Sequence, residues 1–252
     1  MKDIKILAVS GSPRGKEISI TNYILEKTYA SICNHCKDMD VDWEIIYLSQ
    51  CNIGICKGCM ECFKKGVCHI EDDFEIIKRK MNLADIIIVA SPVFFHNVTG
   101  PVKNFIDRTS YYAHYFGLIG KYGITYSISS TNGNDDVNTY LKKYFDYLGI
   151  GTVSQISILN KIDNEEVMSY KIDFAVEKLL DIFRKKKKIN FGFQEDIFKY
   201  YKQMYEMMDK SGESSFEGKV WKEKFGKRFK SFEDAFMFYS KATPCSTSVL
   251  TR

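Results

Sequence analysis

The 252-residue chain holds only 4 Pro, 4 His and 2 Trp. With so little proline beside 16 Gly, it does not read as a disordered or low-complexity polymer. No apolar run approaches the roughly 20 residues that a bilayer requires. Met1-Lys2-Asp3, followed by Ile4 to Val9, lacks a long apolar core and a small-residue cleavage site. These absences predict a cytoplasmic protein with no membrane contact. An excess of one charge is missing too: 36 basic and 32 acidic residues leave a net charge of +4. That balance gives no reason to expect nucleic acid as a partner. Neither G-x-G-x-x-G nor a Walker loop occurs, so no dinucleotide or nucleoside triphosphate fingerprint is present.

What is present is a large apolar content. Hydrophobic residues make up 45% of the chain, with 18 Phe and 16 Tyr, enough for a sizeable core. Five short apolar runs read as strands: Ile4–Val9, Asp42–Leu48, Ala84–Ala90, Tyr122–Ser129 and Thr152–Leu159. Helical spacing falls between them, at Ser19–Cys36, Asp72–Met81, Pro101–Tyr115 and Asp135–Leu148, and after the last at Glu165–Lys187. The strands are continuous rather than alternating, which marks a parallel sheet covered on both faces. The predicted class is α/β, an open doubly wound sheet of five strands in the order 2-1-3-4-5. Its ligand crevice lies at the carboxyl ends of strands 1 and 3.

Residues 1–188 read as this domain and residues 189–252 as a helical extension. Phe191, Phe193, Ile197, Tyr200, Tyr201, Met204, Met207 and Met208 form an apolar stripe in the extension. Packing or a subunit interface is its plain reading, and a lid over a ligand the sharper one. Gly212–Gly218 reads as a break, and Phe232–Lys241 as a further helix. The cations Arg184 to Lys188 complement a helix end.

The first strand runs into Ser10, Gly11, Ser12, Pro13 and Arg14, and Ser19, Ile20 and Thr21 open the next helix. Backbone amides, hydroxyls, a helix N-terminus and a guanidinium together suit one phosphate. A plain capped strand–helix turn is the simpler reading of this segment alone. Pro92, Val93, Phe94, Phe95, His96 and Asn97 leave strand 3, and Ser129, Ser130, Thr131, Asn132 and Gly133 leave strand 4. The first loop offers flat apolar surface and amide donors, the second small donors and close backbone approach.

The Gly11-Ser12-Pro13-Arg14 turn with Ser19 and Thr21, then Ser91 to Phe95, then Gly100 to Arg108, resembles the NADPH-dependent FMN reductase and iron–sulfur flavoprotein family, of flavodoxin-like fold. The resemblance spans roughly residues 3 to 160. It implies that the first loop binds the FMN phosphate, the second lines the isoalloxazine, and the third closes over the ring. Two positions depart from the family pattern: Ile20 stands where the family has Asn, and Phe94 where it has Tyr. Neither removes a backbone donor. His96 reads as a surface histidine or a ring contact. Tyr111 and His114 match a Tyr and His common in these relatives, and no chemical step is assigned to them.

Eight Cys in a reducing compartment suit metal or redox roles better than disulfides. Cys56, Cys59, Cys62 and Cys68 form a C-x2-C-x2-C-x5-C run. Its spacing suits a [4Fe–4S] cluster, with zinc or free thiols as alternatives. The family resemblance implies the cluster, near FMN. Cys51 reads as a spare thiol, Cys33 and Cys36 as incidental, and Cys245 carries no role.

The expected function is an FMN-dependent oxidoreductase with no catalytic side chain. Electrons would come from NAD(P)H or a ferredoxin-like donor. They would leave to a small-molecule acceptor, a quinone, nitro or azo compound, flavin or oxygen species. The first alternative is an electron-transfer protein carrying FMN and a [4Fe–4S] cluster. The second is a flavin-storing or regulatory module. The family implies a homodimer or homotetramer.

Overall fold

The structure is a computed structural model that describes residues 4–184, 187–212 and 215–240. Its centre is a five-stranded parallel sheet in the order β2-β1-β3-β4-β5. The strands are β1 (Ile4–Ser10), β2 (Val41–Tyr47), β3 (Ile86–Pro92), β4 (Tyr122–Ser129) and β5 (Gly151–Leu159). Isoleucines pair with isoleucines across the middle, Ile6 with Ile86 and Ile88 with Ile124, all of them buried. Branched side chains fit a pleated surface buried on both faces. The predicted class and strand order are both found.

The helices are α1 (Ile20–His35), α2 (Glu61–Lys65), α3 (Phe74–Leu83), α4 (Gly100–Arg108), α5 (Asn134–Leu148), α6 (Glu165–Phe183), α7 (Gly192–Ser211), α8 (Phe216–Lys224) and α9 (Phe232–Tyr239). No helix among the described residues is long and apolar enough to cross a membrane.

Several boundaries differ from the sequence reading. The stretch 101–115 is not one helix: α4 stops at Arg108 and a tighter 3-10 turn runs from Ser110 to Tyr115. The Thr109 hydroxyl donates to the Ile106 carbonyl at the joint. Residues three apart eclipse in a 3-10 turn, so Tyr112 and Tyr115 both turn inward, their rings tilted at 59° with centroids 5.7 Å apart. The last helix of the sheet domain ends at Phe183 rather than Lys187. The 212–218 break is shorter than expected, because Ser215 accepts the Gly218 amide at 2.9 Å and starts α8 at Phe216. Lys241 and Cys245 lie outside the described residues.

Helices α7 to α9 share the main hydrophobic core rather than forming a core of their own. Phe116, at the end of the 3-10 turn, meets Phe232 at 5.0 Å, Tyr201 at 5.7 Å and Trp221 at 6.2 Å between centroids. Phe236 meets Tyr122 of β4 at 5.3 Å. The aromatic stripe of α7 is therefore split. Tyr201 is buried beside Phe198 and Tyr205, which the predicted stripe left out, while Tyr200 and Met207 of the stripe face out.

Lys224 and Lys121 lie at this seam. Lys224 donates to the Phe116 carbonyl at 2.9 Å, and Lys121 donates to the carbonyls of Asn82 and Ala84 at 2.7 and 2.5 Å. Burial lowers the Lys224 ammonium to about 7 and that of Lys121 to about 8.

Candidate functional site

Three exit loops meet at the carboxyl edge of the sheet because the strand ends are level. Ser10 pairs with Ala90, and Ser91 with Ser127. Backbone bonds then join the loops. The Gly11 amide donates to the Ala90 carbonyl at 2.7 Å, and the Val93 amide to the Ile128 carbonyl at 2.8 Å. The Thr99 hydroxyl donates to the Gly11 carbonyl at 2.7 Å. Gly11 has no room for a side chain, since a Cβ there would lie 2.1 Å from Val102 on α4.

The first loop is a polar cup. Ser12 is 4% exposed, and its hydroxyl oxygen accepts the Arg14 amide at 3.2 Å. Accepting that amide leaves the Ser12 hydroxyl its own proton to donate. Ser10 is fully buried; it donates to Asn22 and accepts the Ser12 amide at 3.4 Å, so it braces the loop. Ser19 caps α1 by accepting the Asn22 amide at 3.3 Å. In the first turn of α1 the amides of Ile20 and Thr21 lack an acceptor within the helix, which favours an anion. Pro13 and Arg14 are exposed, Thr21 is buried and Ile20 points partly outward.

Asn22 was missed by the sequence reading. It is buried, accepts from Ser10, and donates to the Lys16 carbonyl at 3.3 Å. The departure at Ile20 therefore leaves the loop with an amide side chain two residues on. Helical phase was the available signal: position 22, not 20, faces inward.

The second loop is a tight turn. The amides and carbonyls of Phe94 and Asn97 pair reciprocally at 2.8 and 3.0 Å. Phe95 and His96 sit between them at φ +48° and +59°. Two consecutive non-glycine residues in the left-handed region cost about 1–3 kcal/mol each and persist only where the surroundings hold them. The surroundings here are Asp136, 2.8 Å from His96 Nδ1, and Gly133, whose Cβ would fall 2.7 Å from Val93. Phe95 is 99% exposed and Phe94 half exposed, so apolar surface projects beside the polar cup.

The third loop packs against the second at Gly133, with φ +81°. Ser129 donates to Asn134 at 2.5 Å, and buried Asn134 donates to the Ser127 carbonyl at 2.8 Å. Thr131 and Asn132 are exposed, and Ser130 lies at the same rim. From the sequence Asn134 reads only as the end of this exit loop; in the structure it is the first residue of α5, and its side chain braces the loop.

The cysteine segment is held differently. Its root is fixed by Asn104 on α4, which donates to the Ile53 carbonyl at 2.9 Å and accepts the Cys56 amide at 3.2 Å. Arg108 on the same helix donates to the Gly54 carbonyl at 2.8 Å and grips Asp72 at 2.6 and 3.1 Å. The two charged side chains are 1% and 3% exposed. Burial alone would push the Asp72 carboxyl up. The guanidinium and the amides of Gly54 and Phe74 outweigh it and hold the carboxyl below its usual range. The Gly100–Arg108 motif thus supports the cysteine segment, a role that its sequence did not reveal.

Cys56 and Cys59 are exposed, Cys62 and Cys68 half buried. Burial alone would lower the Arg108 guanidinium, but Asp72 and the nearby Cys68 outweigh it and raise it. The Cys59 sulfur lies 3.5 Å from His69 Nδ1. Burial first, then Cys68, pushes the Cys62 thiol up. Among the described residues, no group of three or more His, Cys, Asp or Glu stands gathered as a metal site. Cys36 is buried and Cys33 exposed. His114 pairs with Glu217 at 2.7 Å, and Tyr111 is buried in the core. Arg184 pairs with Asp38 at 2.8 Å, and Lys187 with Asp181 at 2.9 Å.

Among curated proteins, an iron–sulfur flavoprotein of Archaeoglobus fulgidus is 41% identical over 106 residues, 42% of this chain and 49% of that protein. A second from the same organism is 32% identical over 148 residues, 58% of this chain and 64% of that protein. The match thus spans about half to two thirds of these relatives. Among solved structures, RosB with bound 8-demethyl-8-formylriboflavin-5'-phosphate covers 75% of this chain and 83% of its own, with TM-score 0.57 and 14% identity, a likeness of fold. The family described as NADPH-dependent FMN reductase matches residues 4–164, well over half of the chain. The chain belongs to that family, a family of FMN oxidoreductases.

Proposed function

We propose that this chain holds FMN in the crevice where the three exit loops converge and acts as an oxidoreductase. The observation that carries this reading is the side-by-side placement of a polar cup and an apolar wall on one sheet edge. A phosphomonoester needs the first and a flat aromatic ring the second. The donor set of the cup fits a phosphate: the Ser12 hydroxyl, the Thr21 hydroxyl, the first amides of α1 and the Arg14 guanidinium. Ser10, Ser19 and Asn22 keep that cup in shape.

Pro92 to Asn97 would border the ring, with Phe94 and Phe95 excluding water from it. The segment Ser129 to Gly133 would approach it through small side chains and backbone. His96 is held by Asp136, so it positions the turn. Bound FMN supplies reversible hydride and single-electron transfer, and the protein supplies placement and electrostatics. No side-chain acid or base is required of the chain. NAD(P)H or a ferredoxin-like carrier is the proposed donor, and a quinone, nitro or azo compound, flavin or oxygen species the acceptor.

The test is direct. The purified chain should retain or rebind FMN stoichiometrically, and NADH or NADPH should bleach its flavin absorbance before an added quinone restores it. A chain that neither retains nor binds FMN sinks the reading. Binding without any electron transfer would favour a flavin-storing module.

A second reading has its own support. Four cysteines sit on one segment beyond β2, and the curated relatives are iron–sulfur flavoproteins. Four thiolates are the donor chemistry that a [4Fe–4S] cluster needs, with Cys56, Cys59, Cys62 and Cys68 as ligands. They would have to draw closer together, because they are not gathered as they stand. A cluster there would relay single electrons, making the chain an electron-transfer protein. Anaerobic iron and acid-labile sulfide assays decide it. Four iron and four sulfide per chain support the cluster, stoichiometric zinc supports the tetrahedral site, and neither leaves free thiols.

A further inference from the structure

We propose that the C-terminal helices clamp the cysteine segment, with Phe216 as the positioning residue. The clamp lies outside the family stretch, which ends at residue 164. The short helix α2 closes at Gly66, whose amide donates to the Cys62 carbonyl at 2.9 Å, with φ +75°. That conformation and the space around it both require glycine. A Cβ on Gly66 would fall 2.1 Å from Cζ of Phe216 and within 2.7 Å of two more of its ring atoms. The far end of the Phe216 ring thus occupies the place of a Gly66 side chain, between Cys62 and Cys68 in sequence.

Neighbouring contacts aim the ring there. Ser215 caps α8 and fixes where the helix begins. Phe216 meets Tyr115 edge-on at 6.2 Å. The next residue, Glu217, pairs with His114 at 2.7 Å, and the His114 ring meets Phe63 of α2 at 5.2 Å. Tyr205 of α7 donates to the His114 carbonyl at 3.3 Å and stacks on Trp221 of α8 at 5.3 Å. A chain of contacts therefore runs from α7 and α8 through the 3-10 turn to the helix that carries Cys62. Cys62 and Phe63 pack on the same core as Phe216, whereas Cys56 and Cys59, upstream of α2, stay exposed. The clamp holds the inner half of the cysteine segment and leaves the outer half open.

This inference does not depend on FMN or on a cluster, so it can fail while both readings stand. The full-length chain, Phe216→Ala and Phe216→Leu are compared by hydrogen–deuterium exchange with mass spectrometry. Peptides covering residues 61–68 should exchange about tenfold faster in Phe216→Ala, through local opening. Peptides from β3 should keep their wild-type rate. Phe216→Leu, which lacks the Cε and Cζ atoms that reach Gly66 but keeps the bulk nearer α8, should restore only part of the protection. Glu217→Gln, which weakens the His114 pair without emptying the gap, should give a smaller increase over the same peptides. Flavin absorbance, read on each variant, should not change. Unaltered exchange over residues 61–68 in Phe216→Ala, or equal acceleration in β3, overturns the clamp.

Discussion

The three exit loops and the cysteine segment lie at the same end of the sheet but are built by different means. The loops after β1, β3 and β4 are extensions of the sheet, joined to it by backbone bonds at Gly11, Val93 and Ser129, and the Thr99 hydroxyl bonds the Gly11 carbonyl between the first two. The cysteine segment follows β2, an edge strand that pairs with β1 alone. Side chains from elsewhere hold it: Asn104 and Arg108 from α4, Asp72 before α3, and Phe216 from α8. A site made from sheet backbone is placed by the fold itself. A site hung on four side chains can be loosened by single substitutions while the sheet persists, which makes the comparison testable.

The largest effect is expected at the buried ion pair. Asp72→Ala leaves the Arg108 guanidinium buried and unpaired, which costs about 3–5 kcal/mol. Urea unfolding should report that loss. A loss below about 1 kcal/mol would mean that the pair is not what anchors the segment.

Next comes the polar cup. Ser12→Ala removes a buried hydroxyl proposed to face the phosphate, and a hydrogen bond to a charged group is worth about 1.5–3 kcal/mol. FMN affinity by fluorescence titration should fall about tenfold or more, with the thermal midpoint of the flavin-free chain nearly unchanged. Affinity equal to wild type would remove Ser12 from the site.

Asn104→Ala should cost about 1 kcal/mol, since its partners at residues 53, 54 and 56 can reach water. Its signature is selective: Cys56 should alkylate faster with no change at buried Cys36. Parallel acceleration of both cysteines would show a global rather than a local effect.

The smallest effect is a pH dependence at the extension seam. Lys224 has its folded value lowered to about 7, below its ordinary value, so the unfolded chain binds more protons above pH 7. Stability should therefore rise with pH from about 7 towards 10, and be flat below the folded value. Lys121, at about 8, adds in the same direction. Both side chains are only half-buried by surface, so solvent keeps the slope shallow. Lys224→Met should flatten it further, as read from denaturation midpoints between pH 6.5 and 9.5. An unchanged slope in that variant would separate Lys224 from the effect.

The sheet was legible because buried parallel strands are continuous apolar runs, such as Ile86 to Ala90, set between helical repeats. The turn at Ser12 to Arg14 was legible because phosphate binding needs hydroxyls and amides in adjacent positions. Asn22 and Asn134 were not, because their role depends on which face of a helix turns inward. Arg108 looked like one member of a motif, since its partner Asp72 stands 36 positions away. The bend at Thr109 was hidden because a 3-10 turn and an α-helix share similar composition.

By itself, the sequence determined the parallel α/β sheet, its strand order, the three exit loops and the presence of four closely spaced cysteines. Those features are set by local runs and short spacings, which survive without knowledge of distant contacts. Only the tertiary structure decided how the cysteine segment is held, and that the extension reaches it through Phe216. Those outcomes depend on pairs far apart in the chain, such as Gly66 with Phe216 and His114 with Glu217, which only folding brings together.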